Sequence, residues 1–241
     1  MKKFIVNIIL ISILIFSGYN IYLKLDDYKK ADELYDELRN INNNVDNNVS
    51  TNNKNKKPDL TNINSDFRGW IVVEGTNIDY PFVQGKDNNY YLHHDFNKNK
   101  SNSASIFMDY RNDYQNDKNT ILYGHNMRNK SMFNNIVKFK DEKFWKENNK
   151  IIIYTPSSID TYEVFSTYVT DSKDDYLTTN FTDISEFSKY LNEVKQKSIY
   201  KYNKEVNPSN KIITLSTCSY EFDDARTVVH GTLIKSKPIK Q

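Results

Sequence analysis

The feature that most constrains this chain is an apolar run close to its N-terminus. Residues 4–23 are mostly Ile, Leu, Phe and Val, and they follow the basic start Met1-Lys2-Lys3. About 20 apolar residues are enough to cross the hydrocarbon core of a bilayer as a helix. A cleaved signal peptide is the alternative, but the run is too long for its apolar region and no A-x-A-like cleavage site follows. We predict that residues 1–24 are an uncleaved transmembrane signal anchor.

The charges beside this run predict its orientation. Lys2 and Lys3 favour an N-terminus inside the cell, although three lysines beyond the run weaken the asymmetry. The remaining chain would then lie outside the cell, as the extracellular part of a single-pass protein of the cell membrane. Residues 25–57 are predicted to be a stalk: residues 26–39 have helical apolar spacing, and residues 42–57 form an Asn-rich flexible linker.

Residues 58–241 have a length that suits one catalytic domain. The net charge of +2 and the absence of an aromatic and basic pattern give no indication of a nucleic-acid partner. The sequence has no P-loop, Rossmann glycine pattern or C-x-x-C, so no cofactor is predicted. His93-His94-Asp95 could suggest a metal, but neighbouring strand residues face opposite sides and no third ligand is evident. No metal site is predicted.

The fold of this domain is predicted to be β-rich with a few helices. Short strand patterns occur at residues 69–73, 78–81, 105–108, 120–123, 151–155, 161–168, 211–217 and 226–235. Many short strands at modest spacing indicate a sandwich or a barrel. One helix is predicted to begin in residues 131–137. A clearer one spans 183–197, where Asp183 and Glu186 have the form of a capped start.

The apolar residues of that second helix recur at helical spacing and predict a face that packs on the rest of the domain. They are Ile184, Phe187, Tyr190, Leu191 and Val194.

Cys218 is the only cysteine and cannot form an intramolecular disulfide. In an exported protein it is either a small buried hydrophobe or a free reactive thiol. It follows the apolar strand 211–217 and precedes the polar loop 219–225, and a strand end is a rigid place for a nucleophile. The thiolate is the reactive form, so a nearby base or positive charge is needed.

The base could be any of the four histidines, His93, His94, His125 or His230, of which position favours His125, and Arg226 could supply the charge. His125 follows the strand at 120–123, and Gly124 before it would give the backbone freedom to turn into a loop. His230 lies within a strand, which favours a packed or surface role. Arg226 begins the strand after the Cys218 loop, so hairpin pairing would return its guanidinium to the thiol, where it could also bind an oxyanion.

The alternative for Arg226 is a surface ion pair, which would contribute little. The acidic residues available to it are Glu221, Asp223 and Asp224. Spacing alone leaves this choice open.

Taken together, these segments resemble the active site of sortases. Residues 214–218, TLSTC, with Arg226 eight positions later, resemble the sortase catalytic strand and arginine, and residues 123–126, YGHN, resemble the histidine segment. Residues 80–92, 105–111 and 131–133 resemble class B members in particular. The resemblance covers roughly residues 66–235.

This resemblance implies a closed eight-stranded β-barrel of the α+β kind, with an N-terminal helix and an extra helix between the sixth and seventh strands. It implies a membrane-tethered cysteine transpeptidase on a Gram-positive surface. The implied partners are secreted surface proteins with a C-terminal sorting signal and an amine of the peptidoglycan cross-bridge. Cys218 would cleave after the Thr of that signal through a thioacyl-enzyme, with His125 as acid and base and Arg226 stabilising the oxyanion.

The resemblance also implies the contacts to the peptide. Asn88 and Leu92 would line one wall of the groove, Tyr176 and Leu177 would line another, and Ser216 would face the same groove. Ordinary loop packing is an equal alternative for Tyr176 and Leu177.

Two other functions remain as alternatives. A cell-wall cysteine peptidase or amidase of the papain-like type would also use Cys and His, but it typically places the Cys at a helix start ahead of the His. Here His125 precedes Cys218, which ends a strand. A non-catalytic surface binding module is the second alternative, and it predicts that Cys218→Ala leaves the biological role intact.

Overall fold

The computed structural model describes residues 2–45 and 57–239. Within them, eight strands close into a barrel in the order β1-β2-β3-β4-β7-β8-β6-β5. The neighbouring pairs β2·β3 and β4·β7 are parallel, and the other pairs are antiparallel. In chain order the strands are β1 Phe67–Val73, β2 Asp79–Val83, β3 Ile106–Met108, β4 Asn119–Tyr123, β5 Lys150–Tyr154, β6 Ser158–Asp171, β7 Ile212–Cys218 and β8 Ala225–Pro238. All eight predicted strands are present, and the predicted barrel is confirmed.

Helices cover the outside of this barrel. They are α1 Lys2–Val45, α2 Glu142–Glu147 and α3 Ile184–Lys197, with 3₁₀ segments at Tyr90–Leu92 and Phe133–Lys140. Helix α3 lies between β6 and β7, as the resemblance implied. Asp183 caps it, because its carboxylate accepts hydrogen bonds from the backbone N–H groups of Ser185 (2.8 Å) and Glu186 (2.9 Å).

The predicted packing face of α3 is confirmed except at its first position. Phe187, Tyr190, Leu191 and Val194 are buried, whereas Ile184 is exposed in the first turn. Together with Phe165, Tyr168, Tyr202, Ile212 and Val228, they form a second apolar cluster between α3 and strands β6, β7 and β8. The larger core fills the barrel around residues such as Trp70, Phe82 and Leu215. Helix α3 therefore covers the middle of the β7–β8 pair from outside.

Helix α1 is one continuous helix of 44 residues and joins the predicted span to the predicted stalk. It extends into the first residues of the predicted linker, and residues 46–56 of that linker lie outside the described residues. Its second half docks on the barrel: Tyr35 is buried and donates a hydrogen bond from its hydroxyl to the carbonyl oxygen of Ala104 (2.7 Å). Arg39 donates to the carbonyl oxygen of Asp79 (2.9 Å). Its first half is exposed, and α1 is long and apolar enough to cross a membrane.

A buried polar cluster lies in the middle of the β7–β8 pair, centred on His230. The hydroxyl of Thr214 donates to Asn119 Oδ1 (2.7 Å), and it lies 2.9 Å from His230 Nδ1. Since Thr214 has only one proton to give, Nδ1 must carry the ring proton and donate to Thr214. The other ring nitrogen, Nε2, then accepts from the hydroxyl of Tyr168 (2.9 Å). Complete burial lowers the pKa of His230 to about 3, so the ring is neutral.

Candidate active site

Cys218 is the last residue of β7, and Arg226 lies directly opposite it on β8. Directly opposed residues of an antiparallel pair have Cα atoms about 5 Å apart. The hairpin pairing expected from the sequence therefore holds, and it brings the guanidinium to the end of the strand that carries the thiol. Cys218 is partly exposed, so its sulfur is accessible from outside the barrel.

Arg226 does not form the surface ion pair that the sequence left open. Its Nη1 atom donates to the carbonyl oxygens of Asp224 (3.1 Å) and Ala225 (3.0 Å), while Glu221 pairs instead with Lys140. Within residues 2–45 and 57–239, both hydrogen bonds of Arg226 use Nη1. The Nε and Nη2 donors are thus available for a ligand, and a guanidinium offers them as a planar fork.

His125 reaches the same edge of the barrel because β4 runs parallel to β7. Tyr123 of β4 lies beside Ser216 of β7, so His125 and Cys218 each lie two residues further along neighbouring strands. Side chains two residues apart on a strand share a face. The parallel pairing therefore places the imidazole and the thiol side by side at one end of the barrel.

Further hydrogen bonds hold the His125 segment to the Cys218 strand beyond the end of β4. The N–H of Gly124 donates to the Ser216 carbonyl (3.3 Å), and the hydroxyl of Thr217 donates to the Gly124 carbonyl (2.7 Å). The side-chain amide of Asn126 donates to the carbonyl of Cys218 (2.8 Å). The last residue of β7 thus has its backbone position set by Asn126, a residue to which the sequence analysis assigned no role.

The imidazole of His125 has a partner that determines its tautomer. Its Nε2 atom lies 2.7 Å from the backbone carbonyl oxygen of Leu92. A carbonyl oxygen only accepts, so Nε2 must carry a proton and donate it. Nδ1 then holds the lone pair of the neutral ring, and it is the atom that can take up or release a proton.

Gly124 is needed for a different reason from the one predicted. Its φ angle is not positive, so no unusual backbone conformation requires glycine here. A Cβ atom at this position would lie 2.5 Å from Cδ1 of Ile106 and 2.8 Å from Cγ of Phe133. Glycine allows these two core side chains to pack directly against the backbone that leads into His125.

A narrow cavity of about 100 Å³ opens at the three residues. Three of the five predicted peptide-contacting residues line it, namely Leu92, Tyr176 and Ser216. The hydroxyls of Tyr176 and Ser216 lie 2.9 Å apart and form a hydrogen bond. The full lining is Leu92, Phe107, Tyr123, Gly124, His125, Tyr176, Ser216, Thr217, Cys218 and Arg226. Its mainly apolar and aromatic walls suit a short extended peptide.

The other two predicted contact residues lie behind this wall, in a cluster around Asp109. The buried carboxylate of Asp109 accepts hydrogen bonds from Asn88, Tyr123 and Arg111, each at 2.9 Å. Arg111 also donates to the carbonyl oxygen of Leu177 (3.0 Å). Asn88 and Leu177 are thereby linked to the cavity wall through Asp109 and Tyr123.

Asp109 is charged in this cluster. Burial by itself would raise the pKa of Asp109, but the hydrogen bonds from Arg111, Asn88 and Tyr123 outweigh it and hold that pKa below its usual value. Residues 105–111 carry part of the resemblance to class B sortases, and Asp109 and Arg111 within them are the sequence signal for this cluster.

His93 and His94 follow the 3₁₀ segment Tyr90–Leu92 and lie outside the eight strands, and His94 takes a structural position. The ring of His94 stacks on Tyr90 with centroids 4.1 Å apart, and its Nδ1 lies 2.7 Å from the Tyr90 carbonyl oxygen. In the part of the chain that the structure describes, no group of three or more His, Cys, Asp or Glu side chains could hold a metal ion.

The fold and this edge define a class: a closed β-barrel protein that brings a cysteine, a histidine and an arginine together at the ends of neighbouring strands. The Sortase domain family matches residues 71–234. Sortase B of Listeria monocytogenes is 35% identical over 233 residues, which cover 95% of each chain. The chain therefore belongs to the sortase family, and within it to class B.

Solved structures agree with this assignment. The X-ray structure of Clostridium perfringens sortase B is 47% identical, with a TM-score of 0.71, and the match covers 73% of this chain and 98% of that one. Sortase B from Bacillus anthracis in complex with AAEK1 is 36% identical, with a TM-score of 0.76, over 88% of this chain and 99% of that one. Sortases are cell-surface cysteine transpeptidases, and the apolar N-terminal helix fits a membrane anchor or a signal peptide.

Proposed function

We propose that this protein cleaves a C-terminal sorting signal after its Thr in secreted proteins and transfers them to an amine of the peptidoglycan cross-bridge. The observation that carries the proposal is the convergence of Cys218, His125 and Arg226 on one cavity at the ends of β4, β7 and β8. Residues 1–24 anchor the chain in the membrane, residues 25–57 form the stalk, and residues 58–241 form the extracellular catalytic domain.

The first half-reaction forms the thioacyl-enzyme. The thiol proton of Cys218 first moves to Nδ1 of His125, which gives a thiolate beside an imidazolium. The thiolate attacks the carbonyl carbon of the Thr, and the C–S bond forms. Nε and Nη2 of Arg226 donate to the oxyanion that develops. The peptide C–N bond then breaks, and His125 gives the proton on Nδ1 to the departing amine.

The second half-reaction transfers the acyl group. The acceptor amine attacks the thioester carbon, and Nδ1 of His125 takes the proton that the amine loses. The C–S bond breaks and Cys218 leaves as a thiolate, so the thiolate beside an imidazolium is restored. Atoms and charges balance with no other co-reactant.

The residues that line the narrow cavity are the proposed contacts for the signal peptide. Leu92 and Tyr176 offer apolar surface to the signal peptide, and Ser216 faces the same space beside the Tyr176 hydroxyl. Asn88 and Leu177 support this wall through the Asp109 cluster rather than from within the cavity.

The test uses the full chain in detergent with a library of fluorogenic sorting-type pentapeptides, with and without triglycine or diaminopimelate. We expect cleavage of a subset of peptides, an amine-dependent ligation product, and a thioacyl adduct at Cys218 by intact mass. Cys218→Ala, checked for folding by thermal denaturation, should lose all three.

Two outcomes would contradict the proposal. Hydrolysis that no amine alters would support the cysteine peptidase or amidase instead. Cleavage that persists in Cys218→Ala would exclude Cys218 as the nucleophile.

A further inference from the structure

Cys218 and His125 belong to two cavities. The second cavity, of about 510 Å³, has a different lining from the narrow one apart from this pair. Its lining is Asn20, Leu23, Lys24, Tyr28, Asn102, His125, Asn126, Met127, Arg128, Cys218 and Tyr220. Among the described residues, Cys218 and His125 are the two that line both spaces. The reacting groups thus stand where the two cavities meet.

One wall of this larger cavity belongs to helix α1. Asn20 and Leu23 lie at the end of the apolar run, and Lys24 and Tyr28 lie just after it on α1. The helix contains no proline between this stretch and its docked half, so the direction of the wall follows from the docking of Tyr35. Close to the cavity, the side-chain amide of Asn102 adds a hydrogen bond to Asp27 (3.1 Å).

The two cavities differ in chemistry. The narrow one is lined mainly by apolar and aromatic side chains, as a bound peptide segment requires. The larger one is lined by amides, the two tyrosines Tyr28 and Tyr220 and the cations Lys24 and Arg128. Its lining contains no carboxylate, and the nearby carboxylate of Asp27 accepts from Asn102. Positive charges nearby disfavour the protonated form of an amine. Such a space therefore favours the neutral amine, which is the nucleophilic form.

A reaction with two substrates needs separate spaces for the signal peptide and for the amine acceptor. After the first half-reaction, the acyl part of the signal peptide still occupies one side of Cys218. The acceptor must then approach the thioester carbon from another side, within reach of the Nδ1 atom of His125. The larger cavity offers that approach, and it is large enough for a short peptide.

We propose that the larger cavity is the binding site for the amine acceptor, taken as a short peptide with a primary amine, and that helix α1 forms its membrane-side wall. This inference rests on the proposed transpeptidase function. The wall spans the last residues of the apolar run and the first residues after it, so the acceptor is taken up at the membrane surface. The anchor helix is then a positioning element for the second substrate as well as a tether.

The test separates the two half-reactions in the full chain in lipid nanodiscs. Lys24→Trp narrows the cavity with a side chain that the membrane interface accepts. We expect this variant to raise the KM for triglycine about tenfold, while kcat/KM for peptide cleavage without acceptor stays within about twofold of the wild-type value.

A matched control is Lys29→Trp, which makes the same change at a lysine outside the cavity lining, about 140° further around the helix. It should leave both constants unchanged. Arg128→Trp narrows the same cavity from the barrel side and should raise the KM for triglycine as Lys24→Trp does.

The outcomes are distinguishable. An unchanged KM for triglycine in Lys24→Trp, with normal transfer in the wild type, overturns the role of α1 and leaves the proposed function standing. Equal losses in both half-reactions overturn the separation of the two sites. Wild-type cleavage with no transfer to any amine overturns the proposed function and this inference with it.

Discussion

The β7–β8 pair has a middle and an end that use similar residues in opposite ways. In the middle, Thr214 and His230 are covered by α3 and Tyr168, and both ring nitrogens of His230 have protein partners. At the end, Arg226 keeps two donors unused within the described residues, and His125 has a protein partner on one nitrogen. The two regions share the same antiparallel pairing of β7 and β8, and they differ in whether other parts of the protein cover the strands.

Polar groups that are enclosed and fully hydrogen-bonded contribute to stability. Polar groups beyond the part of the strands that α3 and Tyr168 cover keep donors and acceptors available for chemistry. Substitutions in the middle should therefore lower the free energy of unfolding. Substitutions at the end should lower turnover with little effect on that free energy.

The largest effect is expected for Cys218→Ala. Turnover of the cognate peptide should fall by about 10⁴-fold or more, because the covalent step is lost. The free energy of unfolding in urea should change by less than about 0.5 kcal/mol, since the side chain is small and partly exposed. A large loss of stability would contradict the contrast between the two regions.

The second-largest loss of turnover is expected for Arg226→Lys. The charge is kept, but the planar fork that serves both backbone carbonyls and an oxyanion is lost. We expect kcat to fall by about 10²- to 10³-fold. Arg68→Lys on β1 is the matched control and should retain wild-type kcat. Wild-type turnover in Arg226→Lys would exclude the guanidinium as an oxyanion donor.

The middle of the pair should be sensitive to acid. The folded-state pKa of His230 is about 3, below the ordinary value of 6.5, so the unfolded chain binds the proton more readily. Stability from this group is complete above pH 6.5 and is lost as the pH falls toward 3. Between these values, the free energy of unfolding should fall by up to about 1.4 kcal/mol for each pH unit of acidification.

Urea unfolding of the wild type and of His230→Phe across pH 7 to 4.5 measures this contribution. The variant should be less stable at pH 7, because Thr214 and Tyr168 lose a partner, and its stability should fall less steeply with acid. Parallel curves would show that His230 is not the acid-sensitive group.

The smallest effect is expected for Asn126→Ala, which removes the hydrogen bond to the carbonyl of Cys218. Turnover should fall by about 3- to 10-fold through kcat, at a cost in stability of about 1 kcal/mol. Steady-state kinetics and urea unfolding measure the two. A change in the peptide KM alone would place Asn126 in peptide binding rather than in positioning Cys218.

Much of this architecture was predictable from local sequence patterns. Strand and helix periodicity, the Asp183 cap and the apolar N-terminal run depend on residues close together in the chain, and all appear in the structure. The return of Arg226 to Cys218 was predictable because the two strands are joined by a short loop. The catalytic roles of Cys218, His125 and Arg226 stay predictions for the assays above.

The supporting residues were not predictable in the same way. Asn126 contacts Cys218 across 92 residues, and the His125 ring meets a carbonyl oxygen 33 residues away. A backbone carbonyl has no sequence pattern, and a lone asparagine has many possible partners. The close packing that requires Gly124 likewise depends on Ile106 and Phe133 and not on its own backbone.

The sequence by itself determined the apolar N-terminal run, the strands and the places of Cys218, His125 and Arg226 near strand ends, because these depend on short-range periodicity. Only the tertiary structure decided the chemistry of each histidine. His230 is enclosed by Tyr168 and Thr214 and is neutral, whereas His125 emerges at the open end with Nδ1 available. The physical reason is that burial and hydrogen-bond partners come from strands and helices distant in the chain.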